Sequence, residues 1–66
     1  MLRRDKVLRL LVLHNLTQKD LAAIVGVTHQ SISNYLKKEK PWKPEHALKI
    51  QKALGLSDYE RMDIFE

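Results

Sequence analysis

Four side chains near the middle of this 66-residue sequence, His29, Gln30, Ser33 and Asn34, can share one face of a short helix, and none carries a formal charge. Amides, a hydroxyl and an imidazole grouped in this way suit recognition by hydrogen bonding. Gln30 or Asn34 can match the paired donor and acceptor that adenine presents at N6 and N7, His29 can donate to guanine N7, and Ser31 can reach a phosphate or a base edge. The same groups make poor catalysts. His29 and Ser33 stand one turn apart, as a base and a nucleophile would, but no acidic residue orients the imidazole and both lie on an exposed helix face. His14 and His46 fall on other helices without partners at metal-ligand spacing, so no metal, cofactor or enzymatic activity is expected.

The elements that must hold these groups are legible in residues 16–38. One amphipathic segment, 18–25, places Leu21, Ala22 and Val25 on one side; a second, 31–37 within a helix of about 28–38, does the same with Ile32, Tyr35 and Leu36, so the two faces can share a core. Between them stands Gly26-Val27-Thr28. Gly26 can take the positive φ that ends the first helix, Val27 fills the angle between the helices, and Thr28 is a natural N-cap for the second. Ala22 is small enough to let the helices approach closely. This is a helix-turn-helix, with Thr17 capping its first helix.

Around it, a first helix is expected over about 4–14, with Val7, Leu11 and His14 on one stripe and Leu8 and Val12 on another. Asn15 can supply a left-handed exit. Lys37-Lys38-Glu39-Lys40-Pro41-Trp42-Lys43-Pro44 reads as a charged loop in which Trp42 staples the next helix to the core. Pro44 starts that fourth helix, which runs to Leu54 and ends at Gly55. Ser57 and Glu60 have capping-box spacing and open a last helix over 58–65. No strand shows convincing alternation.

Composition bounds the rest. A single domain of 66 residues has a small core, so a second subunit adding buried surface is physically useful. The absence of cysteine excludes disulfides and thiolate metal sites, and no signal peptide or membrane span is recognised, so a cytoplasmic location is expected, in a bacterium or a phage-infected host cell. Residues 1–54 carry eleven Lys/Arg against four Asp/Glu, while residues 55–66 carry one against four. A basic body suits a polyanion, and the acidic tail points elsewhere. Lys37, Lys38, Lys40 and Lys43 can neutralise phosphates flanking the reading helix. Arg3, Arg4, Lys6, Lys49 and Lys52 read as plain surface charge.

The chain resembles the Cro/CI-type, XRE-like helix-turn-helix proteins, the family that includes the lambda repressor. The likeness rests on Thr17-Gln18, Leu21-Ala22, Gly26-Val27, Ile32-Ser33 and the run from Ala47-Leu48-Lys49-Ile50 through Ala53-Leu54-Gly55-Leu56-Ser57. It implies an all-α, compact five-helix, lambda-repressor-like domain, residues 1–66, that binds operator DNA and represses transcription with its second motif helix in the major groove. On that likeness His29, Gln30, Ser33 and Asn34 read bases, while Thr17, Gln18, Thr28, Ser31, Lys37, Lys38, Lys40 and Lys43 hold the backbone. A homodimer on a near-palindromic site is implied, with contacts expected at Leu56, Tyr59, Met62 and Phe65, the last helix also packing on Leu8 and Val12. With no room for a sensing domain, control is expected through concentration, as in Cro. Many relatives carry a buried arginine–glutamate pair where this chain has Leu11 and Leu36, and a glycine where it has Lys38. The competing reading is a protein-interaction module, such as an antitoxin or anti-repressor, that keeps the motif as scaffold and binds a protein partner through its last helix.

Overall fold

The computed structural model describes residues 3–38 and 41–66, which form five helices and, among the described residues, no strand. They are α1 (Arg3–Leu13), α2 (Gln18–Val25), α3 (His29–Lys38), α4 (Pro44–Leu54) and α5 (Asp58–Phe65). Three of the four connections use one device. Asn15, Gly26 and Gly55 take φ of 56°, 83° and 68°, and each is followed by an apolar residue and then a hydroxyl cap: Leu16-Thr17, Val27-Thr28 and Leu56-Ser57. The apolar residue donates its amide back to the preceding helix, Leu16 to Leu11 O at 2.8 Å, Val27 to Ala22 O at 3.0 Å and Leu56 to Gln51 O at 3.0 Å. Carbonyls that the helix end would orphan are thereby used, and the apolar side chain is turned onto the core.

The hydroxyl that follows then starts the next helix. Thr17 and Asp20 form a reciprocal capping box, as do Ser57 and Glu60. Thr28 Oγ1 accepts the Ser31 amide at 3.2 Å. Each such cap is worth about 0.5–2 kcal/mol, so local chemistry alone fixes most helix boundaries.

The largest fully buried side chains are Phe65, Leu21, Ile32, Ile50, Val7 and Val25, contributed by all five helices. α2 packs against α3 and α4, and α1 packs against α3 and α5. Leu11 and Leu36 both lie in this core. On α1 the expected stripes are corrected. Val7, Leu10 and Leu11 point inward, whereas Val12 is 79% exposed and His14 is solvent-facing. Val12 falls on the face opposite Val7, Leu10 and Leu11, and His14 lies beyond the end of the helix at Leu13, where the chain turns at the left-handed Asn15.

Trp42 connects the loop to everything around it. Its ring stacks on Tyr35 at 4.1 Å between centroids and 4° between planes, and meets Phe65 edge-on at 5.2 Å. Its amide donates to Phe65 O at 3.0 Å. Trp42 is only 3% exposed, and it staples the entry of α4 to both α3 and the end of α5.

Candidate nucleic-acid interface

α3 divides sharply between its two sides. Ile32 and Leu36 are buried, while His29, Gln30 and Asn34 are exposed and Ser33 is half-buried. The polar residues therefore stand together on the outer face, where a groove-wide object could meet them.

Electrostatics single out the head of this helix. α2 and α5 begin with carboxylates, Asp20 in one and Asp58 and Glu60 in the other, but α3 has no acid in its first turn and ends with Lys37 and Lys38. Where a capping box would set a carboxylate, α3 sets Ser31, whose hydroxyl lies 3.2 Å from Thr28 Oγ1. The cap is made without negative charge. The partial positive charge of the helix N-terminus is left unopposed on the side that carries the hydrogen-bonding groups.

Two shallow concavities flank α3. One, about 170 Å³, is lined by Arg4, Leu8, Gln18, Ser33, Leu36 and Lys37, so Gln18 at the positive end of α2 is gathered with Ser33 and Lys37. The other, about 350 Å³, is lined by Ser31, Asn34, Tyr35, Lys38, Pro41 and Lys43. Cations thus lie on both sides of the polar face. Lys40 lies outside the described residues. Thr17 and Thr28 are exposed, and each uses its hydroxyl to cap its own helix.

The loop that carries Lys43 is tied to α3 by Tyr35. Tyr35 Oη lies 2.9 Å from His46 Nδ1 and accepts the Lys43 amide at 3.4 Å. Through Tyr35, α3 is joined by hydrogen bonds and ring stacking to Trp42, Lys43 and the start of α4.

Several charges read from sequence as plain surface groups have partners. Lys49 Nζ donates to Val25 O, the last carbonyl of α2, at 3.2 Å. Lys6 Nζ pairs with Asp63 at 3.0 Å and also donates to the Asp63 carbonyl. Arg4 lies 3.8 Å from Asp5 and also lines the concavity beside Gln18. Sequence offered no signal for the first two, because each joins helices far apart in the chain.

The side chains expected at a dimer contact differ in exposure. Phe65 is fully buried and Leu56 is 9% exposed, because both close the chain's own core beneath α5. Tyr59 and Met62 remain outside, as do Val12 and Leu13 on α1. His29 and Ser33 share the outer side of α3 with no acidic partner bonded to the imidazole among the described residues, and among those residues no cluster of His, Cys, Asp or Glu is placed to hold a metal ion.

A helix-turn-helix family model matches residues 7–61, which take in α2, α3 and α4 whole, α1 from Val7 onward and the first half of α5. No curated protein and no solved structure matches the chain.

Proposed function

Since the chain belongs to the XRE-type helix-turn-helix family of DNA-binding regulators, we propose that it is a sequence-specific, Cro-like transcriptional repressor. It binds a near-palindromic operator as a homodimer, lays α3 in the major groove of each half-site, and excludes polymerase from an overlapping promoter. The observation that carries this reading is the outer face of α3: neutral hydrogen-bonding side chains at an acid-free helix head, with lysines at its other end.

Roles divide along that face. His29, Gln30, Ser33 and Asn34 meet base edges, with Gln30 pairing with adenine in two hydrogen bonds. Gln18, Lys37, Lys38, Lys40 and Lys43 hold phosphates, while Thr17, Thr28 and Ser31 contribute chiefly by fixing the helix heads that approach the backbone. For the dimer, the exposed apolar groups are Tyr59 and Met62 on α5 with Val12 and Leu13 on α1, and these form the contact in place of Leu56 and Phe65.

The same exposed groups favour a second reading, in which α5 binds a different protein and the motif serves as scaffold. Salt separates the two. A chain that neutralises phosphates loses DNA affinity steeply as salt rises, whereas a scaffold gives a flat response. Selection of bound duplexes from a random pool tests the proposal itself. Two related half-sites about one helical turn apart support it, and an unselected pool overturns it.

A further inference from the structure

α2 lacks a basic residue in its last turn, so its negative end has no cation of its own. α4 supplies one from outside. Lys49 lies at mid-helix between core positions Ala47 and Ile50, and its ammonium donates to Val25 O at 3.2 Å. The same nitrogen would lie 3.8 Å from a Cβ at Gly26, so it sits directly over the left-handed corner that turns α2 into α3.

That placement matters because it ties the corner to a third helix. The Gly26 and Val27 amides both go to Ala22 O, at 2.8 and 3.0 Å, which leaves the Val25 carbonyl to Lys49. A cation at a helix C-terminus also gains from the helix dipole. We propose that Lys49 is a positioning residue for the reading helix: bonded to the α2 terminus from α4, it fixes the angle at which α3 is presented to DNA and so sets sequence discrimination without touching DNA. The inference rests on the DNA-reading role of α3 proposed above.

The choice between a brace and a phosphate contact is experimental. Lys49→Met keeps most of the apolar stem and removes the donor; Lys49→Arg keeps a donor and its charge. Each is measured against the wild type on a selected duplex and on random-sequence DNA, across a salt series, with circular dichroism confirming equal helix content. Lys49→Met is expected to lose about tenfold in preference for the selected duplex, the scale of one hydrogen bond to a charged group. Its salt slope should stay at the wild-type value, and Lys49→Arg should recover most of the preference. Amide hydrogen exchange at Gly26 and Val27 should quicken in Lys49→Met alone.

Equal losses on both DNAs with a slope shallower by about one would make Lys49 a phosphate contact and overturn the inference. Unchanged preference, or unchanged exchange at the corner, would overturn it as well. A wild type without salt-dependent DNA binding would instead remove the functional reading on which it rests.

Discussion

Leu36 shows how much a single buried position decides. It is 6% exposed in a core that also holds Leu11, and the two leucines meet no desolvation cost where an ion pair would. Leu36→Glu should therefore strand a carboxylate and destabilise the fold by about 3–5 kcal/mol. Adding Leu11→Arg should recover a substantial part. Thermal unfolding of the single and double variants checks both statements, and a harmless single variant would mean that the site is wetter than its burial indicates. Residue by residue, sequence revealed the groups whose type itself signals their role. Gly26, Thr28 and Trp42 announce themselves by type and position, and the structure uses them for a corner, a cap and a staple. Lys49 and Lys6 do not, since their partners Val25 and Asp63 lie 24 and 57 positions away.

At the scale of elements, the repeated corner of left-handed residue, apolar residue and hydroxyl cap explains why the starts of α2, α3 and α5 and the ends of α2 and α4 can be read before any tertiary contact is known. α1 is the exception. Its run Leu10-Leu11-Val12-Leu13 offers apolar groups on every side, so periodicity cannot say which face turns inward, and only packing on α3 and α5 settles it. The caps carry a pH signature. In α2 the Thr17 amide donates to Asp20 at 2.9 Å, and this bond, with that of the Thr17 hydroxyl, holds the Asp20 carboxyl below its ordinary value of 3.8. A depressed folded value means that the stabilisation is present above the ordinary value and lost as pH falls through the folded one. Asp20→Asn should be less stable than the wild type near neutrality, and the gap should close in acid below the ordinary carboxylate range. A gap that persists unchanged in thermal unfolding at the lowest pH would show that the charge on Asp20 contributes nothing.

On the whole molecule, charge and apolar surface separate. Arg4, Lys37, Lys38 and Lys43 flank α3, while α5 carries Asp58, Glu60 and Asp63 and packs on α1 and α4, with Lys6 holding Asp63. The partition was visible as a composition shift at residue 55, but the apolar surface was not. Tyr59, Met62 and Phe65 are alike as sequence, yet Phe65 fills the core and the other two face solvent, a choice made by the Trp42 ring against Phe65. If α1 and α5 form the homodimer, the double substitution Tyr59→Glu with Met62→Glu should abolish cooperative binding to a palindromic duplex while preserving affinity for one half-site. Sedimentation at micromolar concentration reads the free state, and wild-type protein that binds palindromic DNA as a single copy would exclude this interface.

The most direct measurement is the affinity of Gln30→Ala and Lys43→Ala for the selected duplex and for every single-base variant of it, at several salt concentrations. Gln30→Ala should lose about 1–3 kcal/mol of discrimination at one or two base pairs per half-site and keep the wild-type salt slope. Lys43→Ala should weaken all duplexes about equally and make the slope shallower by about one. If the two substitutions act alike, with one uniform loss across every duplex, the outer face of α3 does not read bases.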